Sequence, residues 1–212
     1  MVCGTVLVED EKYLCTHCHI SMPRTHYDTY PGNPAEQMFW GKVPVERVAS
    51  YFFYNKSSNF RFILYQLKYH GHKELGEAMG RMMAQELLRS GFFETIDCII
   101  PVPLHEKKLR LRGYNQSEWI ARGLAAVTCI PVDTTTVVRQ KNTETQTRKT
   151  MMERWENVDG IFILLQPSLF VGKHVLIVDD VLTTGATTVS CASVFSEVEG
   201  VRISVLTLAL AE

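Results

Sequence analysis

Two hundred and twelve residues, 46% hydrophobic and 21% charged, suffice for one α/β domain with a small appendage and match a soluble globular protein. A formal net charge of −1 excludes a polycation, so nucleic-acid binding would have to use a local patch. No apolar run approaches the roughly 20 residues a bilayer crossing needs, and the N-terminus lacks a signal-peptide layout, so no membrane span and a cytoplasmic location are expected.

Residues 1–44 read as a cysteine-rich module and connector, and residues 45–212 as the main domain. Cys3, Cys15 and Cys18 crowd the start, which in a cytoplasmic chain suggests metal rather than disulfide. Cys15-Thr16-His17-Cys18 is a two-residue-spaced knuckle able to aim both sulfurs at one structural Zn²⁺. Cys3-Gly4 resembles the second half of another knuckle whose partner would fall before Met1. Either the natural start lies slightly upstream, or His17, His19 or His26 completes the set, or the turn holds no metal. Cys98, Cys129 and Cys191 stand alone in apolar contexts and read as small core residues. Pro23, Pro31, Gly32, Pro34, Gly41 and Pro44 mark an irregular connector.

Tyr51 to Tyr54 reads as a short aromatic strand. Ser57 then caps a helix carrying Phe60, Ile63, Leu64 and Leu67 that ends near Gly71. A second helix, Lys73 to Arg89, sets Leu75, Met79, Met82, Met83 and Leu87 at helical spacing, a core stripe rather than a cofactor box. Ile96 to Val102 is the next strand.

His105, Lys107, Lys108, Arg110 and Arg112 follow within eight positions, and basic and apolar residues alternate from Lys108 to Arg112. That alternation predicts an extended loop with its cations on one side, running into a helix, Asn115 to Val127, capped by Asn115. Such a loop suits an anion; the bland alternatives are a solvated surface or a nucleic-acid patch. Thr134 to Val138 is a β-branched strand. The stretch Arg139 to Thr150 has no apolar residue, so it is expected to be mobile, either as a lid or as an exposed linker. Ile161 to Leu165 reads as another strand.

Val175-Leu176-Ile177-Val178 is a strand buried on both faces, and it delivers Asp179 and Asp180 at its carboxyl end. Unpaired carboxylates there would be prohibitive, so they are paired, hydrated or ligand-facing. Thr183, Thr184, Gly185, Ala186 and Thr187 lead into a helix, Ala186 to Glu199, and a final strand runs from Arg202 to Ala209. Acids that accept from sugar hydroxyls, followed by a hydroxyl-rich helix start that holds phosphate, can bind a phosphorylated sugar. The alternation of strands and helices predicts an α/β fold with a mostly parallel sheet, helices on both faces and its ligand crevice at the strands' carboxyl ends.

The run Val175 to Thr187 resembles the 5-phosphoribosyl-1-pyrophosphate (PRPP) signature of type I phosphoribosyltransferases. That resemblance implies the type I phosphoribosyltransferase-like fold, with Asp179 and Asp180 as the catalytic pair on the ribose hydroxyls and residues 183–187 around the 5′-phosphate. With Leu67-Lys68-Tyr69-His70-Gly71, Ile100 to Leu104, Arg112-Gly113-Tyr114-Asn115-Gln116 and Thr145-Gln146-Thr147, the chain resembles the ComF family, linked to bacterial competence for DNA uptake. A zinc-binding, cysteine-rich start is also a family feature; the missing first cysteine is the departure. The resemblance implies PRPP binding with Mg²⁺; His105, Lys107, Lys108, Arg110 and Arg112 would then hold the pyrophosphate, and Arg139, Lys141, Arg148 and Lys149 would reach it if the polar stretch is a lid rather than a linker. Two functions are compatible: phosphoribosyl transfer to an unnamed acceptor, or ligand sensing within the DNA-uptake machinery. The second involves single-stranded DNA, a competence helicase and stacking on Tyr114, Trp119 or Trp155.

Overall fold

A computed structural model describes residues 2–9, 11–55, 57–69, 71–140 and 160–212. Its centre is a four-stranded sheet of β1 (Arg47–Tyr54), β2 (Cys98–Pro101), β5 (His174–Leu182) and β6 (Arg202–Ala211), in the order β1-β6-β5-β2. Every neighbouring pair is parallel. Successive residues of β5 enter opposite cores: Val175 and Ile177 face one, Leu176 and Val178 the other. A strand that must be apolar on both faces explains the unbroken Val-Leu-Ile-Val run.

Helices α3 (Arg61–Tyr69), α4 (Lys73–Leu87) and α6 (Gln116–Thr128) cover the first face with Ile63, Leu67, Met79, Met83, Ile120 and Leu124. The methionine stripe is core, as its spacing predicts. Helix α4 meets α6 backbone to backbone: a Cβ on Gly80 would stand 2.1 Å from the Ile120 carbonyl oxygen, and one on Gly123 2.1 Å from that of Glu77. Helix α7 (Ala186–Ser193) and Phe39, Phe170 and Phe195 fill the second face.

Several local expectations are corrected. Strand β1 begins at Arg47, four residues before the aromatic run. The connector contains a helical turn, α2 (Pro34–Gln37), because Asn33 caps it through Oδ1 and donates Nδ2 to the Val48 carbonyl at 2.9 Å. The basic segment is not an extended loop but a helix, α5 (Glu106–Arg112), started by His105 and stopped by Gly113 at φ 80°. Lys, Leu and Arg are good helix formers, and Glu106 pairs with Arg110 one turn on. Strands β3 (Val137–Arg139) and β4 (Phe162–Leu164) leave the main sheet and pair antiparallel in a ribbon of their own. Helix α7 stops at Ser193 rather than Glu199. Cys191 is core as expected, but Cys129 is exposed, in left-handed conformation at the end of α6. No helix of the described residues is long and apolar enough to cross a membrane.

Candidate functional site

Near the carboxyl end of β5, before Leu182 returns to the second core, Asp179 and Asp180 lie beside the exit of β2. The amide of Val102, just after β2, donates to the Val178 carbonyl at 2.9 Å, and Asn115 Nδ2 donates to the Val102 carbonyl at 3.0 Å. Asn115 also caps α6 by accepting from the Ser117 amide. One asparagine thereby fixes the start of α6 to the strand exit and delivers Ser117, whose Oγ donates to Asp179 Oδ1 at 2.8 Å. The Asp180 amide donates to the same oxygen at 2.9 Å. The side chain of Asp180 instead meets Lys68 Nζ of α3 at 3.0 Å.

The two acids are unlike in consequence. Burial, with Asp180 adjacent, pushes Asp179 up to about 7 against the pull of Ser117, the Asp180 amide and Lys68. For Lys68, burial acts downward, but Asp180 and then Asp179 outweigh it and raise its pKa. Arg139 lies near Asp179, Arg112 near Lys68, and Lys108 near all three cations. Burial lowers Lys108, helped by the neighbouring charges of Arg139, Arg112 and Lys68. Burial lowers Arg139 too, opposed by Asp179; its guanidinium packs 5.2 Å from the centre of the Phe162 ring across the β3–β4 ribbon. Four cations from α3, α5 and β3 thus share one field with two carboxylates.

The turn after β5 supplies the remaining chemistry. Gly185, at φ 76°, starts α7 without a side-chain cap. The Gly185 carbonyl accepts from the Val189 amide at 2.8 Å and from Thr188 Oγ1 at 3.0 Å. The first amides of α7 are of the kind that take an anion. Thr183 and Thr187 are exposed and Thr184 half-buried around them. Carboxylate acceptors, a helix start and a cation group fit a ligand with vicinal hydroxyls and more than one phosphate.

Of the other residues singled out by sequence, Lys107 and Arg110 point away from this cluster: Lys107 is exposed, and Arg110 pairs with Glu106. His105 caps α5, its Nδ1 accepting from the Lys107 amide at 3.1 Å. Lys141, Arg148, Lys149 and Trp155 lie outside the described residues. Lys68 and Ser117 join the cluster through the fold rather than through a motif of their own, although Lys68 lies in one of the segments that carry the family resemblance and Ser117 follows another directly. Tyr114 is no stacking platform, being 8% exposed with its hydroxyl donating to the Leu67 carbonyl. Trp119 is half-exposed between Lys73 and Arg122, each 5.0 Å from its ring centre.

Away from the crevice, the thiols of Cys3, Cys15 and Cys18 lie within 4.8 Å of one another. The Cys3 and Cys15 sulfurs are 3.5 Å apart, and the Cys18 amide donates to Cys15 Sγ across the start of α1 (Thr16–Ser21). Sulfurs on one tetrahedral zinc stand about 3.8 Å apart, so the set suits a soft divalent metal. Among the described residues, none of His17, His19 and His26 joins the three thiols within that distance. His19 Nε2 lies instead 3.4 Å from Glu86 Oε1.

No family model matches the chain. It is 31% identical over 188 residues to DNA utilization protein YhgH of Salmonella typhimurium, covering 87% of this chain and 78% of the relative. It is 26% identical over 178 residues to competence protein F of Haemophilus influenzae, covering 82% and 74%. Among solved structures, it resembles glutamine PRPP amidotransferase from B. subtilis complexed with ADP and GMP, at 21% identity and TM-score 0.40 over 61% of this chain. It spans only 25% of that enzyme's chain. It also resembles adenine phosphoribosyltransferase from Leishmania tarentolae, at 13% identity and TM-score 0.37 over 91% of this chain and 95% of that one.

Proposed function

The chain belongs to the family of DNA utilization protein YhgH and competence protein F, and we propose that it binds PRPP with Mg²⁺ at the carboxyl end of β5 and transfers ribose 5-phosphate to an acceptor. The observation that carries the reading is the adjacent acid pair near the carboxyl end of a buried strand, with Lys68 on Asp180 and an uncapped helix start following. Asp179 and Asp180 accept from the ribose hydroxyls, and residues 183–187 hold the 5′-phosphate. Lys108 and Arg112 take the pyrophosphate with Arg139. His105 starts the helix that carries Lys108 and Arg112.

In the transfer, the bond from ribose C1 to the diphosphate oxygen breaks and its electron pair leaves with the diphosphate. The acceptor's nucleophile forms the new bond to C1 and gives up a proton. Cations fixed beside the leaving diphosphate stabilise the charge it gains, the main catalytic device available here. Hard oxygen donors from phosphate suit Mg²⁺, which would neutralise the diphosphate when bound. Cys3, Cys15 and Cys18 hold a structural Zn²⁺ in this reading, within a 1–44 module attached to a 45–212 catalytic domain, and the protein works in the cytoplasm.

Calorimetric titration of PRPP and Mg²⁺ tests the site. Binding to the natural chain and its loss in Asp179→Ala/Asp180→Ala is the expected pair of results; equal binding by both sinks the assignment. Pyrophosphate release with candidate bases and amines then tests turnover. A second reading, ligand sensing on single-stranded DNA beside a competence helicase, draws on Trp119 between Lys73 and Arg122. It requires oligonucleotide affinity that falls steeply with salt.

A further inference from the structure

Lys68 is a lysine in the last turn of an amphipathic helix, a position that ordinarily faces water. Here its side chain is 28% exposed and its ammonium lies 3.0 Å from Asp180 Oδ2, on a carboxylate 14% exposed. Two side chains next to Gly113 bring it there. The Tyr114 hydroxyl donates to the Leu67 carbonyl, holding the end of α3 against the start of α6. Arg112 reaches Tyr69, its guanidinium carbon 5.9 Å from the ring centre. The residues on either side of Lys68 are therefore both fastened to the segment that also carries Ser117 to Asp179.

Lys68 faces two groups at once. Asp180 is in contact with it and Asp179 lies near enough to add to that pull, while Arg112, which reaches the neighbouring Tyr69, opposes the pull, and the charge of Lys68 bears on Lys108. It stands at the boundary between the acid pair and the cation group. A sugar carrying a diphosphate would place hydroxyls on the first and phosphate oxygens on the second. An ammonium that stays on Asp180 occupies Oδ2, one of the acceptors the hydroxyls would use. On a flexible four-carbon stem, the same ammonium has a phosphate oxygen available as its exchange partner.

We propose that Lys68 is a ligand-binding residue of this crevice that exchanges partners, leaving Asp180 for the diphosphate of the incoming sugar and so releasing the Asp180 carboxylate to the sugar hydroxyls. The proposal rests on the reading of the crevice as a PRPP site. It makes Lys68 specific for the diphosphate end of the ligand, unlike Asp179, which serves the sugar end.

The test compares PRPP with ribose 5-phosphate, which shares the sugar and 5′-phosphate but lacks the diphosphate. Both are titrated with Mg²⁺ into the full chain, Lys68→Met and Lys68→Gln. The glutamine variant retains a donor for Asp180 and must show the same pattern if the methionine variant does not fold. The expected result is at least about a tenfold loss of PRPP affinity, the scale of one charged hydrogen bond, with ribose 5-phosphate affinity unchanged or higher. Lys68→Arg keeps the charge and recovers part of the loss. Equal weakening of both ligands overturns the proposal, because Lys68 would then only support Asp180; unchanged affinity for both overturns it as well. If the natural chain binds neither ligand, the PRPP reading itself fails and the exchange with it.

Discussion

At the carboxyl end of β5, the groups that meet are drawn from Lys68 to Asp180 in sequence and held by different elements of one sheet domain. Cys3, Cys15 and Cys18 meet within the first turns of the chain, and α1 alone orients two of them. The first cluster depends on tertiary packing; the second needs only a local turn and is tied to the domain separately. The strongest polar tie is Arg24, whose Nε and Nη2 donate to the two oxygens of Glu86 on α4 at 2.8 and 2.7 Å, beside the His19–Glu86 contact and the burial of Met22 in the first core. Damage to shared supports should therefore reach both regions, whereas damage to the tie should spare the crevice.

The shared support is the contact between α4, which carries Glu86, and α6, which carries Ser117. In Gly80→Ala the new methyl meets a backbone oxygen at 2.1 Å, and neither helix can yield without moving the other. Thermal unfolding should show a loss of about 3 kcal/mol or more, roughly 6–12 °C in Tm, and PRPP affinity should fall with it. A stable Gly80→Ala protein with full affinity would break the idea that one helix pair carries both regions. Arg24→Met comes next in size. It removes the principal partner of Glu86 and should cost about 2 kcal/mol, while PRPP affinity stays within about twofold. Loss of affinity in this variant would show that the cysteine region and the crevice are coupled.

The same contrast explains what could be read from sequence. A strand buried on both faces must be uninterrupted, so Val175 to Val178 announces itself, and two acids at its end stand out because nothing apolar could hide them. The cysteines are legible because a metal knuckle is a local pattern. Helix α5 was hidden by the alternation of Lys108 to Arg112, which mimics an extended strand until propensity and the Glu106–Arg110 pair decide otherwise. The β3–β4 ribbon has three-residue strands, too short for periodicity to say which sheet they join. Lys68 was hidden for another reason: its position on α3 reads as solvent-facing, and only the docking of Tyr114 on Leu67 turns it inward. Tyr114 itself looked available for stacking because nothing in its neighbours reveals that its hydroxyl is used.

Strand β5 also carries a smaller prediction, because its two ends titrate in opposite senses. At its start, His174 is buried, with Nδ1 2.8 Å from Thr95 Oγ1 and Nε2 2.9 Å from Ser204 Oγ, and burial lowers its pKa despite Glu46. The unfolded chain takes a proton there near pH 6.5 before the folded one does, so this group costs stability as pH falls through about 6.5. At the other end, burial holds Asp179 protonated up to about 7. The unfolded chain releases that proton near pH 4, so stability falls as pH rises from about 4 to about 7. The two slopes oppose each other below about pH 6.5 and flatten the profile. Asp179→Asn should remove the second slope, leaving stability that climbs with pH and gaining about 1 kcal/mol above pH 7, while PRPP affinity is lost. His174→Gln should remove the first and leave stability falling towards neutrality. Denaturant midpoints at half-unit pH steps distinguish them: parallel profiles for the two variants would mean that neither end of β5 titrates as its surroundings dictate. A gain confined to Asp179→Asn would identify the crevice, and not the strand as a whole, as the place where stability is given up for binding.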